Sequence, residues 1–472
     1  MSITGTENGL STRTDQFLQL CEQRWPAHQP RPAVVTRAPG RLDCMGGMAD
    51  FSGALALQTT IEQGVYAAAG RRDDQRIRVE SVGWNQDGQP SVFEWSLSWF
   101  YQSDGQFVTA ETLSSKFDAC PWARHVAGVC LALLESGDLP HLAGGVNFLI
   151  QSDIPPKAGL ASSAALQVAC AKALAALFDL ELTAQQLVRA CQLANTEVVK
   201  NESGLVDHVT CLLGEPDSLL EIRCQPQEVI GSLAMPKCAA FAGVYSGLRL
   251  PFYQERYADN RAASLMGRYI IEQILRTSGD PGELNSAYLA SIPPNEYVRR
   301  FRNYLPPKLR GRDFLDHFGQ PPELDIIIRP GQVYKVRSRT EHHIYENDRA
   351  HRFMERLARV YRTGDLDTLI EAGELMYASH WSYGQRCGMG SIETDVLVNC
   401  IRERGPACGL YGAKVTGGGC GGTVAVLMAD TSAALQALSD ACAAYAAKTG
   451  RQPMLLSGSS PGAMAFGHRN IG

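Results

Sequence analysis

Two adjacent serines carry the strongest chemical signal in this chain of 472 residues. Ser162 and Ser163 lie in PPKAGLASSAA, residues 155–165, after an apolar, strand-like run over 145–151. A stretch with few helix breakers, 161–178, carries the chain onward. The order strand, glycine-bearing loop, helix puts both hydroxyls on a first helical turn. A helix start has unpaired N–H groups and the positive end of the macrodipole, and both favour phosphate. A hydroxyl there can add a phosphate contact or a magnesium ligand. Read in isolation, the pair is better explained as caps of a structural helix. Its company elsewhere in the chain decides against that.

Two more glycine segments stand out, RAPGRLDCMGGMADFSG at 37–53 and GAKVTGGGCGGTVAVL at 412–427. In the second, Gly417, Gly419 and Gly422 satisfy G-x-G-x-x-G. A dinucleotide site needs a helix after that pattern. Here Thr423 opens a strand-like run, so the glycines read as a tight strand-to-strand turn with close backbone approach. No G-x-x-x-x-G-K-[ST], H-R-D or D-F-G occurs, which excludes a Walker-type site and a protein kinase. Taken alone, Glu197 reads as a solvated helix carboxylate and Arg41 as a surface arginine. Asp207 reads as a helix cap as readily as a functional acid. His125 and His208 read as packing or loop residues, and Lys157 as a solvated loop lysine.

The elements around these residues divide the chain. Residues 1–12 read as a tail, and Phe17, Leu20, Cys21 and Trp25 recur at helical spacing, so 1–30 form a tail and a helix. A first lobe, 31–230, holds strands near 33–35, 76–82 and 91–97 and a helix over 121–134. The serine loop, helices over 183–200 and 205–213, and a closing strand at 218–223 complete it. A second lobe, 231–472, opens with a strand at 238–245 and a helix over 259–277. An insertion around 280–340, rich in Pro, Arg and aromatic residues, carries too many aromatics for a flexible linker. Helices over 341–404, two strands about the glycine turn and a helix over 431–448 end the chain. Segregated strands and helices predict an α+β fold in two lobes.

Composition narrows the class. The chain is 45% apolar and 20% charged, as ordinary globular proteins are. A net charge of −5 argues against nucleic acid or an anionic membrane as partner. The polar start MSITGTENGL lacks a signal-peptide core, and no long apolar run suggests a membrane span. Fourteen scattered cysteines without a C-x-x-C pair read as buried thiols in a reducing cytosol, with no zinc. A cytoplasmic protein is expected, and nothing sets an oligomeric state.

A-P-G-R at 38–41, P-P-x-x-G-L-x-S-S-A-A at 155–165 and K-V-T-G-G-G-x-G-G at 414–422 resemble, in order and spacing, the three motifs of the GHMP small-molecule kinases, in their galactokinase branch. GELMYASHWSY at 373–383, followed by Asp395, resembles the galactokinase segment near the sugar. GRLDCMGGMADFSG, GVYSGLRL at 243–250, HHIYEN at 342–347 and GSSPGA at 458–463 are most like L-arabinokinases. The resemblance implies a two-lobed GHMP kinase fold, the N-terminal lobe like ribosomal protein S5 and the C-terminal lobe ferredoxin-like. It implies transfer of the γ-phosphoryl of ATP, with Mg2+, to the anomeric hydroxyl of a pyranose. Such transfer depends on positioning and charge neutralisation.

Residue by residue, the resemblance implies that Pro156, Lys157, Ala158, Gly159, Leu160, Ala161, Ser162 and Ser163 wrap ATP. Ser163 and Glu197 would hold magnesium, and Asp207 would orient or deprotonate the attacking hydroxyl with Arg41 beside it. Gly46, Gly47, Asp50, Ser246 and Gly418 would line the sugar. Galactokinases read G-E-H-T-D-Y where this chain has GGMADF at 46–51. The glutamate that contacts the C6 hydroxyl is thus replaced by Gly47. L-arabinopyranose has the galactose ring configuration without C6, and an unpaired buried carboxylate would be a cost. L-arabinose is therefore expected first, with galactose or galacturonate behind it, Arg249 being a candidate cation for the latter. A sugar sensor without catalysis is the alternative from a different class, and the intact serine run and Asp207 favour an enzyme.

Overall fold

In the computed structural model the first lobe is built on a sheet of eight strands. Its order runs Arg469–Ile471, Ala33–Met45, Leu55–Arg71, Val146–Ser152, Arg76–Val82, Val92–Ser96. Ser218–Arg223 and Glu228–Ala234 extend it from Leu55–Arg71. All pairs are antiparallel except Arg76–Val82 with Val146–Ser152. The structure describes residues 7–25, 33–83, 88–201, 204–248, 253–278, 288–322, 326–419 and 422–471, with Glu7, Asn8, Asp50, Tyr253 and Gln254 described by their backbone alone.

The helix Ser162–Leu177 lies on the strands Ala33–Met45 and Leu55–Arg71. It is apolar nearly all round, as a helix buried on most sides must be. Its alanines at 164, 165, 169, 171 and 173 let neighbouring backbones come close, and all five are buried. This packing fixes the start of the helix, and with it the serine loop, against the strand that carries Arg41.

The second lobe is a four-stranded antiparallel sheet ordered Leu410–Val415, Thr423–Ala429, Ala239–Tyr245, Met454–Ser457. The helices Val336–Thr363, Leu366–Ser382, Ile392–Arg404 and Ser432–Thr449 accompany it. The insertion is ordered where it is described. Tyr297, Phe301, Leu305, Phe314, Ile328 and Tyr334 form a core of their own against Met266 and Ile271 of the helix Tyr253–Thr277. Residues 280–287 lie outside the described residues.

The two-lobed α+β expectation holds, with four differences of detail. The N-terminal helix is Glu7–Arg24 and begins inside the stretch read as a tail. A further strand, Glu228–Ala234, follows the one expected to close the first lobe. The helix expected over 183–200 is α-helical over Ala184–Leu193 and then widens into a π turn, Ala194–Val198. The chain end returns to the first lobe, where Ile471 pairs with Ala33 and so covers an edge of the sheet. The described cysteines are free and mostly buried, and burial pushes Cys21 and Cys130 up to about 12, which makes them inert packing thiols. No helix among the described residues is long and apolar enough to cross a membrane.

Burial also holds histidines neutral. His125 and His208 are pushed down to about 4 and His343 to about 3. His208 pairs with Gln167 at 2.7 Å, whereas neither ring nitrogen of the fully buried His343 has a hydrogen-bond partner among the described residues. Once unfolded, each protonates at about pH 6.5, so the unfolded state binds more protons below that value. Stability should therefore fall as pH drops from about 6.5 toward 4. His343→Leu removes one such group and its unsatisfied nitrogens. We expect it to flatten the fall of the thermal midpoint between about pH 7 and 5; an unchanged slope would contradict this account.

Candidate active site

The strand Ala33–Met45 breaks its pairing register with Leu55–Arg71 twice, between Pro39 and Arg41 and again between Asp43 and Met45. Such bulges re-aim side chains, and they bracket Arg41 and Asp43. Arg41 is almost fully buried and meets Asp207 in a bidentate pair, Nε to Oδ1 at 2.8 Å and Nη2 to Oδ2 at 2.7 Å. Burial alone would lower the guanidinium pKa, but the charge and hydrogen bonds of Asp207 outweigh it and hold the pKa above its ordinary value. The Asp207 side chain keeps 19% exposure, so its outer edge is open to a reactant. Gln58 Nε2 donates to Asp207 Oδ1 at 3.3 Å, and Thr210 Oγ1 donates to Gln58 Oε1 at 2.7 Å. Asp207 stands on the first turn of Val206–Leu213, and the cap of that helix is Leu205, so Asp207 is not acting as its cap.

The third nitrogen of Arg41, Nη1, donates to the carbonyl of Gly159 at 2.7 Å, and the Arg41 backbone N–H donates to Leu160 O at 3.1 Å. The guanidinium thus joins the acidic residue to the serine loop. In that loop Lys157, Gly159 and Ala161 take left-handed φ values of 58°, 83° and 60°. Left-handed positions at every second residue are a backbone pattern of anion nests, in which successive N–H groups converge. A left-handed alanine is strained, and strain of that sort clusters at ligand sites. The residue capping Ser162–Leu177 is Ala161, and no side chain caps the helix. Ser162 and Ser163 therefore sit inside the first turn, half-buried, with hydroxyls that bond to no described residue. The capping alternative is set aside by this geometry.

The glycine turn completes the convergence. A Cβ on Gly417 would lie 3.1 Å from Arg41 Nη2 and 3.3 Å from Gly159 O, so a side chain would crowd both, and the left-handed φ of 63° also favours glycine. Thr423 Oγ1 donates to Ala158 O at 2.6 Å and ties the turn to the loop. Gly418 is half-buried on the same turn. Ser246 lies fully buried behind it, its N–H bonded to Gly422 O at 2.9 Å. Arg249 lies outside the described residues.

The segment holding Gly46 and Gly47 leads into a short 3-10 helix, Gly47–Ser52, gripped by the second lobe. Glu346 Oε1 accepts from Gly46 N at 3.3 Å and from Ser379 Oγ at 2.6 Å. Burial would raise its pKa, yet Arg349 and neighbouring cations hold the carboxyl down at about 2. Tyr383 OH accepts from Met48 N at 2.7 Å and donates to Gly417 O at 3.1 Å. Asn347 accepts from Leu55 N at 2.9 Å, and the ring of His343 packs edge-on against Phe51. The side chain of Asp50 lies outside the described residues.

Glu197 is exposed on the π turn and engages no described residue. Its carboxylate and the Ser163 hydroxyl have the donor chemistry a magnesium ion prefers. No group of three or more His, Cys, Asp or Glu that could hold a metal occurs among the described residues. A divalent ion here would therefore take most of its ligands from phosphate and water. The structure brings Arg41, Asp207, the loop 158–161 and Gly417 together, and Gly46 and Gly47 beside them through Tyr383 and Met48. Gln58, Thr210, Glu346 and Tyr383 were not foreseen. Each acts across a long sequence separation; Gln58 and Thr210 belong to no local motif, whereas Glu346 falls in the HHIYEN segment and Tyr383 ends the GELMYASHWSY segment.

Comparison with known proteins agrees with this geometry. The chain matches the GHMP kinases N terminal domain over 124–215, the GHMP kinases C terminal domain over 365–447 and the galactokinase galactose-binding signature over 26–71. It is 31% identical to an L-arabinokinase of Arabidopsis thaliana over 93% of its own length, and spans 46% of that relative. It is 27% identical to a galactokinase of Chloroflexus aggregans, covering 90% of this chain and 91% of that one. The fold matches that of the Lactococcus lactis galactokinase solved with galactose, with a TM-score of 0.71 at 20% identity over 95% of this chain and 98% of that one. A mevalonate kinase of Methanococcus jannaschii follows at a TM-score of 0.56 and 14% identity, over 92% and 100%. One chain thus carries the N-terminal and C-terminal domains of the GHMP kinases together with the galactokinase galactose-binding signature.

Proposed function

We propose that the protein transfers the γ-phosphoryl of ATP to the anomeric hydroxyl of a galactose-configured pyranose, with L-arabinose as the favoured sugar. The observation that carries the reading is the single guanidinium of Arg41, bonded on one side to Asp207 and on the other to Gly159 of the serine loop. Asp207 has its carboxylate aimed by Arg41 and Gln58 and its outer edge exposed. There it accepts a hydrogen bond from the attacking hydroxyl and takes its proton. Arg41 offsets charge on the transferring group. The N–H groups of the loop and the uncapped helix start hold the triphosphate. Magnesium, when bound, would supply charge neutralisation at the phosphates, and Ser163 and Glu197 would hold it through their oxygen donors.

For the sugar, Gly47 supports L-arabinose over galactose because no side-chain acceptor stands where galactokinases carry a glutamate. The likeness to an L-arabinokinase supports the same choice. Galactose and galacturonate are the alternatives within the same chemistry, and a sugar-binding sensor is the alternative outside it.

Three measurements test these statements. A coupled assay over L-arabinose, galactose and galacturonate should give the highest kcat/KM for L-arabinose; no turnover of it beside good turnover of another sugar would sink the assignment. Asp207→Asn should lower kcat by about 100-fold or more while sugar binding persists. Equal transfer by mutant and wild type would remove Asp207 from the mechanism, and sugar binding without transfer by either would favour the sensor. Ser163→Ala should weaken magnesium ATP binding by about tenfold and shift stability by less than about 0.5 kcal/mol, because the hydroxyl caps nothing. A stability loss near that of a lost cap, about 1 kcal/mol, with nucleotide binding unchanged would restore the capping role.

A further inference from the structure

Asp43 is fully buried, and neither of its carboxylate oxygens has a hydrogen-bond partner among the described residues. Its nearest cation is Lys414, also fully buried, with Nζ 3.8 Å from Oδ1 and 3.5 Å from the Asp43 carbonyl. Lys414 also lies over the ring of Tyr383, 4.8 Å from its centroid. A buried ion pair at this distance, without hydrogen bonds to the carboxylate, repays its desolvation poorly, so fold stability is a weak reason to keep it. The backbone of Asp43 cannot swing aside. Its N–H donates to Thr416 Oγ1 at 2.6 Å, and that hydroxyl donates back to its carbonyl at 3.1 Å.

The consequence falls on Gly47. A Cβ there would lie 1.2 Å from Asp43 Oδ2 and 2.4 Å from its Cγ. Gly47 does not have a left-handed φ, so its backbone would accept another residue. Space alone forbids it, and the Asp43 carboxylate takes that space.

We propose that Asp43 and Gly47 form one specificity element, in which the carboxylate at 43 excludes any side chain at 47. This rests on the sugar kinase reading above. With Asp43 seated there, residue 47 presents only backbone to the sugar and offers no side-chain acceptor to an exocyclic hydroxymethyl group. The element thereby favours a galactose-configured pentopyranose over the hexose. Lys414 fixes the rotamer of Asp43 by charge, and Thr416 fixes its backbone. Asp43 is a positioning residue here, since it acts through residue 47.

The test is a double-mutant cycle read by thermal midpoint and by kcat/KM on L-arabinose and D-galactose. Gly47→Glu alone adds a clash and a second negative charge, and Asp43→Ala alone leaves Lys414 unpaired. Each should lower the midpoint. Combined, the introduced carboxylate replaces the lost one beside Lys414, and most of the midpoint should return. The galactose to arabinose ratio of kcat/KM should rise by about tenfold or more in the double variant. If Gly47→Glu does not fold, Gly47→Ala reads the same clash, lowering the midpoint in the wild-type background and leaving it unchanged beside Asp43→Ala. Additive midpoints in the cycle would overturn the coupling of 43 and 47. Coupled midpoints with an unchanged sugar ratio would overturn its role in specificity. A wild type that phosphorylates neither sugar would instead overturn the sugar kinase reading, while the midpoints still report on the coupling.

Discussion

One guanidinium organises this molecule. Arg41 satisfies Asp207 with two nitrogens and the serine loop with the third, and Gly417 closes over it with little room for a side chain. A buried cation is costly unless paired and hydrogen-bonded, and here each partner comes from a different segment. The first sheet supplies the arginine, the helix Val206–Leu213 the aspartate, the loop before Ser162–Leu177 a carbonyl, and the second lobe the glycine turn. Loss of any one contact would leave charge or backbone unsatisfied in the others. The two register breaks of the strand Ala33–Met45 fall at this point.

The second lobe does more than cover the first. Glu346 and Tyr383 reach across to Gly46 and Met48, so the segment expected to meet the sugar is held by helices some 300 positions further along the chain. Tyr383 links that segment to Gly417 through its hydroxyl and receives Lys414 on its ring. Sugar segment, glycine turn and Arg41 are therefore mechanically continuous.

Much of this was legible in the sequence, because the three segments carry local chemistry. Glycines and serines at fixed offsets between a strand and a helix restrict backbone geometry whatever the rest of the chain does. Many helices followed from periodicity in the same way, but the strands Leu55–Arg71 and Glu228–Ala234 were not foreseen. Other features arise only on packing. Nothing in an alanine signals that Ala161 takes a left-handed conformation, so whether Ser162 and Ser163 cap a helix or line a loop could not be read from residue type. Gln58 lies opposite Asp43 on the neighbouring strand and touches Asp207 only once the helix Val206–Leu213 is docked. The exclusion of a side chain at 47 by Asp43 depends on a rotamer set by a lysine far along the chain. The return of the last strand to Ala33 likewise has no local signature.

The account stands on the claim that Asp207 faces an anomeric hydroxyl in line with a phosphoryl group held by the serine loop. Phosphorus and proton NMR of the product from L-arabinose and magnesium ATP tests it most directly. The predicted result is a single sugar monophosphate whose phosphorus couples to the anomeric proton. A phosphate on any other ring oxygen, or release of inorganic phosphate with the sugar unchanged, would contradict it.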